Sequence, residues 1–85
     1  MTRICRLWEI APQQEGVVAV NKGNSALHMR LQELGFAEGT KVRCVGRSPG
    51  GDPCAYALRG TVMAIRRRDA DQILVRLEDD SVEPM

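Results

Sequence analysis

Side chains that perform nucleophilic or acid–base catalysis are scarce in this chain. It has one histidine, His28, and three cysteines, Cys5, Cys44 and Cys54, with no Cys-x-x-Cys spacing. No Gly-x-Ser-x-Gly, Walker-type or dinucleotide fingerprint is present, and the Gly50-Gly51 pair is typical of a turn. The sequence therefore predicts a protein that is not an enzyme, with no catalytic residue and no required cofactor.

Metal ligation is the second chemistry to consider. A zinc site needs three or four converging ligands, whereas the chain offers His28, scattered cysteines and carboxylates that mostly stand next to basic residues. His28 is the one candidate ligand, and it could hold adventitious Zn or Fe(II) at a contact between two chains. The other interpretation is that His28 is a solvated or hydrogen-bonded surface residue. We expect the cysteines to be buried small hydrophobic residues, with Cys5 the best candidate for an exposed thiol.

A cluster of basic residues, Arg66-Arg67-Arg68, could bind nucleic acid, an acidic protein surface or lipid headgroups. Residues 66–80 nevertheless contain four arginines against five Asp and Glu, and the whole chain carries a net charge of +1. A solvated face whose charges pair with one another is therefore the other interpretation. Because one Trp, one Tyr and one Phe leave little surface for base stacking, no nucleic acid partner is expected. A small nucleic-acid-binding barrel stays the alternative, as does a metal-binding sensor or carrier.

The length limits the architecture that can position these residues. Eighty-five residues make a single domain, 1–85, that is too small to enclose a large cavity. The longest apolar stretches are far shorter than the ~20 residues of a membrane helix, and the first residues lack the apolar segment of a secretory signal. A cytoplasmic location is the expectation.

One helix is well marked in the sequence, near residues 25–34. Asn24 or Ser25 can cap its start, and Gly35 stands where a left-handed C-terminal residue belongs. Its apolar stripe consists of Leu27, Leu31 and Leu34. Met29 points about 200° away from Leu27, so this methionine is expected in solvent beside Ala26, whereas His28 lies at the boundary of the stripe.

The rest of the chain predicts a mostly β fold. Alternating or β-branched segments indicate about five strands, at residues 16–20, 41–47, 54–58, 61–65 and 73–77. A short helical turn is expected near 66–72, with Arg67 and Asp71 paired at i, i+4. Residues 1–10 predict a helical or extended lead-in, and the tail 78–85 is expected to be frayed. In the hairpin around residues 48–53, Cys44 should lie opposite Tyr56, which argues against a Cys44–Cys54 disulfide.

Several motifs together resemble those of a known family. They are Leu31-Gln-Glu-Leu-Gly-Phe-Ala-Glu-Gly-Thr40, Arg47-Ser-Pro-Gly-Gly-Asp-Pro53, Leu58-Arg-Gly60 and Ala64-Ile-Arg-Arg67. Their order and spacing resemble the ferrous iron transport protein A family, FeoA, from about Gly16 to Val75, with a family-like core at 16–77. Glu38 stands where the family usually has Pro, and Tyr56 where an aliphatic residue is usual.

The resemblance implies a fold, a partner and a location. The family's fold is a small SH3-like antiparallel β-barrel, and its partner is the membrane-embedded ferrous iron permease with a GTPase domain, FeoB. It implies an accessory protein of ferrous iron uptake that activates, assembles or regulates this permease and is recruited to the inner face of the cytoplasmic membrane. A weak homo-oligomer is a further possibility.

A domain without a deep pocket must act through its surface. The residues that we select as candidates for binding the partner are Ala26, Met29, Phe36, Arg66, Arg67 and Arg68. Met29 is the main one, because an exposed methionine is flexible and polarizable and suits adaptable contacts. Phe36 has an alternative role, in which it attaches the end of the helix to the barrel.

Overall fold

One antiparallel sheet forms most of the molecule. The computed structural model describes residues 2–22 and 24–78. These residues form six strands: β1 (Thr2–Arg6), β2 (Glu15–Asn21), β3 (Lys41–Arg47), β4 (Cys54–Leu58), β5 (Thr61–Ile65) and β6 (Ile73–Glu78). Across the sheet the strands follow one another in the order β1-β6-β2-β3-β4-β5. The predicted mostly β fold is therefore confirmed.

Three helical segments connect the strands. A 3-10 turn, Leu7–Glu9, follows β1; α1, Ser25–Leu34, follows β2; and α2, Arg67–Ala70, joins β5 to β6. The predicted bounds of α1 are confirmed, because both ends carry strong local signals. The Asn24 side chain accepts a hydrogen bond from the Leu27 amide at 2.9 Å, and Gly35 has a left-handed φ of 118°. Neither α-helix of the described ranges has the length and apolarity needed to cross a bilayer.

The sheet has one strand more than the five predicted. Residues Thr2–Arg6 pair with β6, with Cys5 opposite Val75. The sequence predicted this segment only as a helical or extended lead-in, because Ile4 is exposed like the flanking Arg3 and the segment has no clear alternation. At the other end of the chain, Glu78 is the last residue of β6 rather than part of a frayed tail. The rest of that predicted tail, 79–85, lies outside the described residues.

The hydrophobic core is built from alternate positions of the strands, from residues of the helical segments and from residues that follow the 3-10 turn and α1. Tyr56 and Phe36 are its largest fully buried side chains. The other core residues are Leu7, Ile10, Val18, Leu31, Val42, Cys44, Cys54, Leu58, Ile65, Ala70, Ile73, Val75 and Leu77. Leu34, predicted in the apolar stripe of α1, is 41% exposed, because the chain turns at Gly35 and buries Phe36 instead.

The two hairpins that join β3 to β4 and β4 to β5 have a well-defined register. Cys44 lies opposite Tyr56, as predicted, and a bulge between Cys44 and Gly46 then shifts the pairing so that Arg47 faces Cys54. The next hairpin turns through Arg59 and Gly60, whose φ angles are 51° and 81°. Two successive positive φ angles are the mark of a type I′ turn, which suits the right-handed twist of the strands.

Candidate interaction surfaces

The outer face of α1 carries the most exposed methionine of the described chain. Met29 is 60% exposed, whereas Leu31 on the opposite side of the helix is buried. Ala26 is exposed as well and lies about 60° from Met29 around the helix axis. The exposure predicted for Met29 is therefore confirmed. The caps at both ends of α1 stabilise the helix on which Met29 lies.

Phe36 does not belong to this surface. Its side chain is fully buried in the core, and its amide donates a hydrogen bond to the Leu31 carbonyl oxygen at 2.9 Å, which closes the C-terminal end of α1. Its candidacy as a residue that contacts a partner was wrong. A side chain just beyond the left-handed Gly35 is turned back towards the core, where it contacts the end of the helix.

The three consecutive arginines, Arg66, Arg67 and Arg68, occupy three different environments. The guanidinium of Arg67 lies over the Trp8 ring, 3.8 Å from its centroid. Arg68 is largely exposed and its Nε lies 3.9 Å from Asp69 Oδ1, while Arg66 is the exposed residue that precedes α2. They therefore do not form one uniform basic patch.

Trp8 joins two distant parts of the chain. Its Nε1 donates a hydrogen bond to Asp71 Oδ1 at 2.7 Å, and Arg6 Nε lies 3.5 Å from the same oxygen. Asp71 thus pairs with Trp8 and Arg6, not with Arg67 as the i, i+4 spacing predicted. We call Arg6, Trp8, Arg67 and Asp71 the Trp8 cluster. They line a surface cleft of about 640 Å³ with Asp52, Arg68 and Gln72.

The Trp8 cluster was missed by sequence reasoning because 63 residues separate Trp8 from Asp71. A pattern within one segment cannot show such a contact. The signals that were available were the single tryptophan of the chain and the i, i+4 spacing of Arg67 and Asp71, and each was interpreted within its own segment. Cation–π stacking and the shared carboxylate make these residues part of the structural framework.

The end of β3 and the loop that follows it, residues 47–53, fix the ends of two helical segments. Asp52 Oδ1 accepts a hydrogen bond from the Arg67 amide at 2.9 Å and so caps α2 from a distant loop. Arg47, just before the loop, donates from Nη2 to the carbonyl oxygens of Trp8 and Ile10 at 3.3 and 2.8 Å. The Arg47–Pro53 motif therefore serves the fold.

Removing the cap on α2 should measurably destabilise the protein. Replacing Asp52 by alanine is expected to lower the free energy of unfolding by about 1 kcal/mol, because the Arg67 amide loses its acceptor. Urea denaturation followed by circular dichroism measures the change. Asp52→Asn keeps a side-chain oxygen and is the matched control, expected to lose less than half as much; equal losses for the two variants would contradict the capping role.

His28, the candidate metal ligand, is half-buried and has a polar partner. Its Nδ1 lies 3.1 Å from the Asn21 carbonyl oxygen, and the Asn21 side-chain amide donates to the His28 carbonyl oxygen at 3.2 Å. It lines a cleft of about 370 Å³ with Gln32 and Glu38. Within residues 2–22 and 24–78, no group of three or more His, Cys, Asp or Glu side chains is arranged to hold a metal ion.

The cysteines are free and mostly buried. Cys44 and Cys54 lie in the core and Cys5 is partly exposed. Burial raises the pKa of the Cys44 thiol, with a smaller contribution from Cys54, and burial also raises the pKa of Cys5. Burial likewise raises the pKa of the Tyr56 hydroxyl. Because a raised pKa keeps a thiol protonated, Cys5 and Cys44 are weaker nucleophiles than an ordinary cysteine.

A single antiparallel sheet with one capped helix and open surface clefts makes this a small, mostly β domain. Comparison with known proteins identifies its family: residues 5–77 match the model of the FeoA domain. The chain belongs to the FeoA family, which is associated with ferrous iron transport.

Solved structures of relatives have the same fold. An FeoA-like protein from Clostridium acetobutylicum is 31% identical, with a TM-score of 0.80 over 88% of this chain and 87% of that one. FeoA from Stenotrophomonas maltophilia, solved with zinc and described as a prokaryotic SH3 domain protein, is 33% identical, with a TM-score of 0.73 over 84% of this chain and 88% of that one. The SH3-like fold that the resemblance implied is therefore confirmed.

Two further proteins extend the comparison. A fusion protein of Fe(2+) transport protein A and the Fe(2+) transporter FeoB, from Porphyromonas gingivalis, is 31% identical over 72 residues, 85% of this chain. The chain spans only 8% of the length of that fusion protein. A manganese-dependent transcriptional repressor shares the fold at 16% identity, with a TM-score of 0.77 over 88% of this chain and 42% of that one.

Proposed function

We propose that this protein is an accessory protein of ferrous iron uptake that binds the membrane permease FeoB at the cytoplasmic face of the membrane. The observation that carries the proposal is the fusion of the two proteins in the Porphyromonas gingivalis relative. Two domains on one chain are held at a high effective concentration, and such a fusion is useful when the domains act on each other. When the accessory protein and the permease are separate chains, they form the same contact only by binding each other with sufficient affinity.

The outer face of α1 is the proposed contact. Met29 is 60% exposed on a helix with both ends fixed, so the face needs little reordering when a partner binds. The small side chain of Ala26 allows close approach, and the flexible thioether of Met29 adapts to the partner's surface. Such contacts need no cofactor and no catalytic residue, and they assemble or regulate the permease through binding.

The contact is tested by placing a charge on this face. Met29→Asp is expected to weaken association with the detergent-solubilised permease at least about tenfold, because a buried carboxylate in an interface has no partner. Affinity capture of the purified chain by the tagged full-length permease measures the loss. Circular dichroism and the melting temperature should stay nearly unchanged, because Met29 contributes little to the core.

The matched control is Ile4→Asp, since Ile4 is 55% exposed and lies on β1. This variant carries the same new charge away from α1 and is expected to bind the permease like the unmodified chain. Undiminished capture of Met29→Asp would show that the α1 face does not contact the permease. Failure of the unmodified chain to bind the permease would contradict the proposed function itself.

A further inference from the structure

The strand at one end of the sheet, β5, lacks the features by which proteins usually protect a free edge. In the described chain it pairs with β4 alone, without a register shift. Its sequence, Thr61-Val-Met-Ala-Ile65, has no charged residue and no proline. The strand at the other end, β1, carries Arg3 and Arg6. Charges, proline and bulges discourage pairing with another chain, so β5 is the open edge.

The register shows which backbone groups of β5 face outwards. The two-residue turn at Arg59 and Gly60 makes Leu58 and Thr61 a hydrogen-bonded pair, and such pairs alternate along an antiparallel ladder. Thr61, Met63 and Ile65 therefore bond to β4. The amides and carbonyls of Val62 and Ala64 point away from β4, and a further strand would bond to them.

The side chains next to this edge form a small apolar surface. Val62, at 59% exposed, and Ala64 share the outer face of the sheet with Ala57 and Ala55, which lie opposite them on β4. An added strand would place its own side chains beside Val62 and Ala64 and continue this face. Apolar side chains there would gain burial in addition to the backbone hydrogen bonds.

The charges around β5 indicate what kind of strand fits. Arg59 precedes the strand and Arg66 follows it, and both are exposed. A second copy that added its own β5 in antiparallel orientation would bring arginines of the two copies side by side at both ends, and like charges across a strand pair are destabilising. A segment with acidic residues near both ends complements the edge instead.

We propose that the β5 edge binds an extended segment of a partner protein by strand addition. The segment has about five residues of β-forming type between acidic residues. Its backbone bonds to Val62 and Ala64, and its acidic ends face Arg59 and Arg66. None of the residues of this edge belongs to the outer face of α1, so it provides a second contact, whether or not α1 binds the permease.

Amide hydrogen exchange measured by NMR tests the proposal with a synthetic peptide, Asp-Glu-Thr-Val-Thr-Val-Thr-Glu-Asp. The amides of Val62 and Ala64 are expected to exchange fast in the free protein and to become slow when the peptide is added. A matched peptide with lysine in place of its four acidic residues should bind at least about fivefold more weakly at low salt. Equal affinity for the two peptides, or no slowing at Val62 and Ala64, would overturn the proposal.

Two variants separate the backbone contact from the charges. Val62→Pro removes an outward amide that β4 does not use, and proline is tolerated on a free edge; Val62→Thr keeps the amide and is its control. Val62→Pro should bind the acidic peptide about fivefold more weakly than Val62→Thr, the effect of one lost hydrogen bond. Equal binding of the two would overturn strand addition.

The second variant combines Arg59→Asn with Arg66→Gln and keeps the fold, because Asn suits the left-handed turn position of Arg59. Its affinity for the acidic peptide should fall about fivefold, and its affinity for the lysine peptide should not fall. If the amides of Val62 and Ala64 exchange slowly without peptide, and still more slowly at higher protein concentration, a second copy occupies the edge. That result would overturn the proposal.

Discussion

Replacing Phe36 by alanine is expected to lower the free energy of unfolding by about 3–5 kcal/mol. The side chain is fully buried, and its removal leaves a cavity where the end of α1 meets the sheet. A domain of this size has a total stability of about 5–10 kcal/mol, so the variant should be close to unfolding at 37 °C. Urea denaturation followed by circular dichroism measures the loss.

The control is the same truncation at the exposed methionine. Met29→Ala should change the free energy of unfolding by less than about 0.5 kcal/mol, because Met29 is 60% exposed. Comparison of the two variants distinguishes Phe36, which holds α1 in place, from Met29, which α1 exposes on its surface. A loss below about 1 kcal/mol for Phe36→Ala would mean that Phe36 does not fill the core.

Replacing Trp8 by alanine should have the next largest effect, a loss of about 2–4 kcal/mol in the free energy of unfolding. The ring packs against the core, lies beneath the Arg67 guanidinium and donates its Nε1–H to Asp71. The variant loses all three interactions, and it leaves Asp71 with Arg6 as its remaining partner in the Trp8 cluster. The same urea titration, followed by circular dichroism because the tryptophan is gone, measures the effect.

Trp8→Phe is the matched control for the hydrogen bond. Phenylalanine keeps an aromatic ring for Arg67 but has no N–H, so its expected loss is about 1 kcal/mol. If both substitutions cost less than about 0.5 kcal/mol, the Trp8 cluster would not hold the 3-10 turn against α2, and Arg67 would be free to contact a partner.

Elements with strong local signals were predictable from the sequence. The bounds of α1 follow from Asn24 and Gly35, which cap the helix within one turn of each end. The hairpin register that places Cys44 opposite Tyr56 follows from the turn-forming loop between them and from alternation of apolar residues. In both cases the determining residues lie next to the structure that they determine.

Contacts between distant segments were not predictable from local patterns. The edge strand β1 has no clear alternation of polar and apolar residues and is recognised as a strand only by its pairing with β6. The turn at Gly35 directs Phe36 into the core, and the Arg67 guanidinium stacks on the Trp8 ring. Two of the six candidate contact residues therefore have structural roles. The exposure of Met29 followed from helical periodicity alone, but its binding role depends on a partner surface.

Methyl NMR of the methionines, recorded while the full-length permease in lipid nanodiscs is added, shows directly whether the α1 face binds the permease. Met29 is exposed on α1, whereas Met63 is half-buried in β5 with its side chain facing inwards. If the α1 face binds the permease, the Met29 methyl signal changes its chemical shift in proportion to the permease added, and the Met63 signal keeps its shift. No change at Met29 with saturating permease, or a shift at Met63 alone, would contradict binding of the permease through the α1 face.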